Sequence, residues 1–423
     1  RMLETIKNAW KVKEIRNKIL FTIFIIAIFR IGSVIPVPYI DVAALKSSGT
    51  TNEFFSYLSI LTGGGLEYGA IFAMSITPYI NASIIIQLLC VAIPYLERLS
   101  KEGEEGQKKL ATITRYTTVI LALIQGIAYF FYLKASNYLN VTKGVWFAAI
   151  VIVLSFTAGS AIVMWLGEQI DVKGIGNGIS ILLFAGILSR GPQAFQALWY
   201  YWKELDRYFA VIGIVIAFLL IIAFIVWMTN AERRIPVQYA KRVVGNKMYG
   251  GQNTHIPIKV NMSGVMPVIF ASSILMLPTM ILSFKSNTTS SFAKFLALFS
   301  TRGAFYAVIY FIMIIAFAYF YATIQFNPVE MANNLRKNGG AIPGIRPGKP
   351  TSDFISKILS RITLMGALFL SVIAILPIIV GSVGGINISL GGTSVLIMVG
   401  VALDTVQNLE SQMMMRHYKG FLD

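Results

Sequence analysis

The chain has 423 residues, 56% of them hydrophobic, with mean hydropathy +0.69. Soluble domains are about 45–50% apolar, so this composition excludes an ordinary soluble domain and points to a membrane protein. The single cysteine and two histidines exclude an internal disulfide and argue against a His/Cys metal site. A net charge of +17, from 36 Lys and Arg against 19 Asp and Glu, makes the chain strongly basic.

Apolar runs of about 18 or more residues read as membrane spans. Ten such runs lie at 19–36, 69–93, 112–133, 145–166, 175–190, 208–229, 263–283, 304–326, 358–380 and 391–409. The residues before the first run form a charged amphipathic lead without a small-residue cleavage site, so no cleaved leader is expected. Orientation follows from Lys and Arg. One set of ends and loops holds 25 of them and the other holds 9, with Arg30 and Arg361 in or at spans. Both termini are therefore expected on the cytoplasmic side, with an even number of spans. Topology alone accounts for much of the positive charge.

Residues 37–68 form a long outer segment. Within it, "FFSYLSILT" (54–62) is apolar but too short to span, and Gly63, Gly64 and Gly65 break the chain after it. Such a piece lies on the membrane as an interfacial helix, or re-enters where protein or water shields it. Span two carries "ITPYINASIIIQLL" (76–89), whose Thr77, Ile80, Asn81, Ile84, Gln87 and Leu88 share one helical face. Polar groups on that face avoid hydrocarbon. They either hydrogen-bond to neighbouring helices or line a watery cavity constricted by isoleucine. Similar apolar and small-residue patterns occur at "GNGISILLFAG", "MPVIFASSILMLP" and "GGTSVLIMVGVALD".

Two cytoplasmic loops exceed what orientation needs. In 230–262, alternating stretches flank Gly245-Asn246 and predict a hairpin-like finger. The loop at 327–357 is basic and dense in glycine and proline. Both predict docking of a partner. Ten spans divide near residue 206 into five and five, and an odd number per half makes the halves run in opposite senses, as an inverted repeat requires.

Enzyme motifs fail. "GIRPGKPT" has Pro343 where a phosphate loop begins with glycine and Pro350 where it needs Ser or Thr. "GIGNG" (174–178) lacks the last glycine of a dinucleotide turn and reads as a helix start. Arg30 and Asp404 are the clear intramembrane charges, fewer than an ion-coupled carrier needs. A secondary transporter and a lipid-handling or insertase protein stay open as alternatives.

Several blocks are similar to one family: "FRIGSVIPVPY" (29–39), "GGGLEYGAIFAMSITPYINASIIIQLL" (63–89), "GIGNGISILLFAGI" (174–187), "VQYAKRVVGNKMYGGQNTHIPIKVNMSGVMPVIFASSI" (237–274), "NNLRKNGGAIPGIRPGKPT" (333–351) and "GGTSVLIMVGVALDTVQNLESQMMMRHYKGFL" (391–422). On these the chain resembles the SecY/Sec61-alpha family of protein-conducting channels over essentially its whole length. The resemblance implies an all-α polytopic fold of ten transmembrane helices in two inverted pseudo-symmetric halves, 1–206 and 207–423, with a re-entrant plug helix near 54–66. It implies no enzyme activity and no cofactor. It implies a bacterial cytoplasmic-membrane location and a pore that passes unfolded secretory polypeptides and releases transmembrane segments sideways into membrane lipid.

By motif, the resemblance carries over a pore ring of Ile80, Ile84, Ile179, Leu183, Ile269 and Ile397. The plug would be Phe54, Phe55, Tyr57, Leu58, Ile60 and Leu61. A lateral gate between spans two and seven would use Ser83 and Gln87 on one side, with Ser272 and Ser273 on the other. Lys241, Arg242 and Arg346 would dock the SecA motor ATPase or ribosomal RNA phosphates. Implied partners are SecE, SecG, SecA, the ribosome, secretory preproteins and signal sequences. Leu183 departs mildly from the family, in which some relatives have isoleucine there.

Overall fold

The computed structural model describes residues 2–41, 69–135, 139, 144–189, 191–203, 208–239, 242–249, 253–260, 266–284, 304–325, 327–384 and 392–419. It is predominantly helical. The helices are α1 (Met2–Lys11), α2 (Lys13–Gly32), α3 (Thr77–Ala92), α4 (Pro94–Lys101), α5 (Glu104–Ala135), α6 (Val145–Lys173), α7 (Gly178–Leu188), α8 (Gly191–Lys203), α9 (Tyr208–Asn230), α10 (Met266–Phe284), α11 (Ala304–Gln325), α12 (Pro328–Lys337), α13 (Lys349–Gly384) and α14 (Gly392–Lys419). Each of the ten apolar runs carries a helix. Five stretches of helix among the described residues are long and apolar enough to cross a membrane, and a bent pair makes up to six.

That pair is α3 and α4, which meet at 102°. Ile93 between them is extended, with φ −102° and ψ 120°, and Pro94 opens α4. Proline has no N–H and clashes with the preceding turn, so the helix stops before it and a new one starts on it. The expected run at 69–93 is helical only from Thr77. Pro78 sits in the first turn of α3; Ala70 instead bridges to Pro36 and residues 71–76 form turns, with Ser75 in the left-handed region at φ 50°.

One large core holds the helices together. It joins Phe29 of α2, Phe156 and Ile170 of α6, Leu182 of α7, Phe270 of α10, Tyr310 and Ile314 of α11, Leu370 and Ile373 of α13, and Leu396 and Val401 of α14. The N-terminal helices meet the C-terminal ones where α3 packs on α10 and where α7 packs on α14. Helices with wide exposed apolar faces surround this core. Leu219, Leu220 and Trp227 of α9 are examples, as a hydrocarbon solvent allows.

A second, separate core lies in the loops expected to dock a partner. Strands β1 (Glu232–Tyr239) and β4 (Asn253–Lys259) pair antiparallel, and β5 (Gly340–Ala341) adds to the far edge of β1. Between β1 and β4, β2 (Arg242–Val244) and β3 (Lys247–Tyr249) form the expected hairpin, with Gly245 in the turn at φ 66°. Alternate residues of β1, Ile235 and Val237, are buried, with Ile258 beside them. They pack against Leu335 of α12, Ile342, and Ile355, Leu359 and Ile362 of α13.

Candidate functional site

The six aliphatic residues proposed from sequence for the constriction come from four helices. Ile80 and Ile84 are on α3, Ile179 and Leu183 on α7, Ile269 on α10, and Ile397 on α14. All six are buried, and all belong to the one large core cluster. They sit where the N-terminal and C-terminal sets of helices meet, since α3 packs on α10, α7 on α14 and α10 on α14.

Local chemistry fixes the helix that carries Ile179 and Leu183. Gly176 turns the chain at φ 79°, a region that favours glycine. Asn177 is the N-cap of α7, and its Oδ1 accepts from the Ile179 N–H at 3.1 Å. Asp171 at the end of α6 accepts from the Gly178 N–H at 2.7 Å. Thr22 of α2 accepts from the buried Ile175 N–H at 3.1 Å. A Cβ on Gly178 would collide with the Gly167 carbonyl, so α6 and α7 touch backbone to backbone there. The segment read in sequence as a helix start is therefore a helix start, pinned by three side chains. Beside Ile179, the Ser180 hydroxyl reaches the Met266 sulfur on α10 at 3.9 Å, a contact across the two halves of the chain.

The proposed gate residues divide. Ser272 and Ser273 are buried on α10, and the Ser272 hydroxyl donates to the Ile269 carbonyl of its own helix at 2.9 Å. Ser83 and Gln87 are half-buried on α3. The Gln87 Oε1 accepts from the Tyr321 hydroxyl of α11 at 3.1 Å. This places a C-terminal helix other than α10 against α3. Sequence reasoning missed Tyr321. A tyrosine deep in an apolar helix was the available signal, because a buried phenol hydroxyl needs a partner.

The stripe on span two resolves in the same way. Ile80, Asn81 and Ile84 are buried, Thr77 and Gln87 half-buried and Leu88 exposed. The plug residues Phe54, Phe55, Tyr57, Leu58, Ile60 and Leu61 and the docking residue Lys241 lie outside the described residues. Arg242 opens β2. Arg346 is exposed in the turn after β5, and its carbonyl accepts from the Thr351 hydroxyl at 2.6 Å. The finger is tied to α14: Lys259 donates to Gln407 Oε1 at 2.9 Å and attracts Asp404. Asp404 thus has a cation beside it from the end of β4.

Nothing in this site is arranged for bond chemistry. No group of three His, Cys, Asp or Glu suited to a metal occurs among the described residues. The helices that carry the six aliphatic residues share one large apolar core. A multi-pass helical protein whose N-terminal and C-terminal helices share one apolar core is a membrane protein of the channel or carrier kind.

The comparisons specify the channel. A family model described as SecY matches residues 70–406. The protein translocase subunit SecY of Bacillus subtilis is 45% identical over 433 residues, covering 100% of both chains. A solved structure, of a SecY protein whose plug domain is reported to stabilise the closed state of the translocation channel, superposes with TM-score 0.65. It is 18% identical and covers 94% of this chain and 92% of that one. Sec61 in the canine ribosome-channel complex superposes with TM-score 0.61 at 16% identity, covering 94% and 92%. The chain belongs to the SecY family of protein translocase channel subunits.

Proposed function

We propose that the chain forms the pore of a bacterial Sec translocase, with ten spans in two inverted halves, 1–206 and 207–423. Both termini lie in the cytoplasm, and residues near 54–66 act as a plug. Unfolded secretory polypeptides pass through an hourglass closed by Ile80, Ile84, Ile179, Leu183, Ile269 and Ile397. Hydrophobic segments leave sideways between α3 and α10. SecE and SecG are the accessory subunits, and SecA or the ribosome docks at the loops around Lys241, Arg242 and Arg346.

The observation that supports this reading is that all six aliphatic side chains, from four helices, are buried in the one large core where N-terminal helices pack on C-terminal ones. A translocating chain presents every side-chain type, so a specific binding site would stall it. Branched aliphatic groups offer no hydrogen bonds and hold back water and ions by dewetting. A signal sequence opens the seam to the extent that it binds the open state more tightly than the closed one. The Gln87–Tyr321 hydrogen bond supports a polar element on the α3 side of that seam. Ribosome docking is supported by the fold shared with ribosome-bound Sec61 and by the basic loops.

The test is reconstitution into vesicles with a SecA-type ATPase and a secretory protein. Protease-protected substrate that depends on ATP supports the channel. Uptake of a small solute without any motor, and no protected protein, would overturn it in favour of a carrier.

A further inference from the structure

Helix α1 carries two faces that differ in what they touch. Ala9 is fully buried and packs with Ile15, with Ile175 of the turn before α7 and with Leu409 of α14. Leu3, Ile6 and Trp10 are 76%, 47% and 49% exposed. At offsets of three and four residues these three form one stripe, and Lys7 and Lys11, both exposed, run along its edge. The helix stops at Val12, whose extended φ −88° and ψ 120° separate it from α2. Next comes Lys13, and α2 then exposes Leu20, Ile23 and Phe24, the side chains of a helix bathed in lipid. Short, amphipathic and basic-edged, α1 is thus held by Ala9 against α14 and the turn before α7, just ahead of the apolar stretch of α2.

We propose that the Leu3–Ile6–Trp10 face of α1 is seated on anionic lipid headgroups, with its apolar side chains in the acyl boundary and Lys7 and Lys11 on the phosphates. The chemistry is that of an interfacial helix, in which apolar burial and attraction to negative headgroups add. Charge complementarity selects this occupant over a neutral bilayer. The seat has a structural consequence, because the adjoining face of α1 packs through Ala9 on Ile175. The Ile175 amide donates to Thr22, and Ile175 lies just ahead of Ile179. Lifting α1 uncovers that turn.

The experiment uses the full chain, with whatever subunits copurify, in symmetric vesicles, so its outcome does not depend on which side α1 faces. Brominated phosphatidylcholine, with or without phosphatidylglycerol, quenches tryptophan fluorescence, and the difference between wild type and Trp10→Phe isolates Trp10. Quenching of Trp10 is expected to rise when phosphatidylglycerol is present and to fall with added salt. In Lys7→Gln/Lys11→Gln the seated-to-lifted ratio is expected to drop roughly 25-fold, since each lysine near an anionic surface is worth about fivefold. Amide exchange over 174–178 is expected to quicken with it. Equal Trp10 quenching in neutral and anionic vesicles, or quenching that ignores the two lysines, overturns the proposal. Protection of Trp10 only when a second protein is added would assign the face to that protein and overturn it too.

Discussion

Replacing Ile397 by asparagine separates a pore from a packed seam. Ile397 is 1% exposed and lies on α14 within the large core cluster. Losing that burial forfeits about 1.5–3 kcal/mol, and an unsatisfied buried amide adds about 1–3 kcal/mol. If the six residues only pack helices in a dry core, the whole cost falls on folding. Together the two terms are a large share of the 5–15 kcal/mol by which folded proteins are typically stable, so membrane abundance should collapse. If the six line a pore, water solvates the amide once the channel opens, and the cost falls on the closed state alone. The closed-to-open gap then shrinks by about 1–3 kcal/mol, and each ~1.4 kcal/mol raises the open fraction tenfold. Ile373 on α13 is the control: it is buried in the same cluster but is not one of the six. The expected result is normal abundance of Ile397→Asn with improved export of a substrate carrying a defective signal sequence. Ile373→Asn should lose abundance without that gain. Low abundance and no rescue for Ile397→Asn would refute the ring.

Arg346→Glu, in an exposed turn whose backbone is held by Thr351, should weaken SecA-stimulated translocation severalfold at unchanged abundance. An unaltered rate removes Arg346 from docking. Deleting 54–62 should leave the protein folded, because the segment spans nothing, and should raise resting ion conductance in planar bilayers. Equal conductance would favour an interfacial helix there. Tyr321→Phe and Gln87→Leu should show a coupling of about 0.5–1.5 kcal/mol in a double-mutant cycle of thermal stability, the usual net worth of one hydrogen bond. Additive effects would mean that the 3.1 Å contact contributes nothing. Thr22→Val leaves the buried Ile175 amide without its acceptor and should cost about 1–3 kcal/mol in unfolding stability. A change under a few tenths would show that water replaces the hydroxyl.

Hydropathy located the helices because lipid-facing and core-facing residues are both apolar, so each span stands out against charged loops. It located their ends less well. Nothing in the apolar count distinguishes residues 70–76 from α3. The distinction comes from Pro78 and from a left-handed Ser75, which are matters of backbone geometry. The hairpin around Gly245-Asn246 was legible because turn chemistry is local. Contacts between distant residues were not. Thr22 and Ile175 are 153 positions apart and Tyr321 and Gln87 are 234, and nothing local in a single sequence joins them. Motif resemblance supplied the six candidates for the ring, since their isoleucines and leucine are common residues and composition gives no reason to prefer them over the other buried residues of that core.

The small sheet and the large core share one helix. At 36 residues, α13 is about 54 Å long at 1.5 Å per residue, well beyond a hydrocarbon layer of about 30 Å. Ile355, Leu359 and Ile362 serve the small core, and Phe369, Leu370 and Ile373 serve the large one. This arrangement sets an order of assembly during synthesis. Strands β1 and β4 are made first, but the side chains that cover their apolar face belong to α12 and α13, which follow α10 and α11 in the chain. Until then Ile235, Val237 and Ile258 face water, and the finger is an open sheet. The sheet therefore gains the cover of its apolar face only when the ninth apolar run has been made.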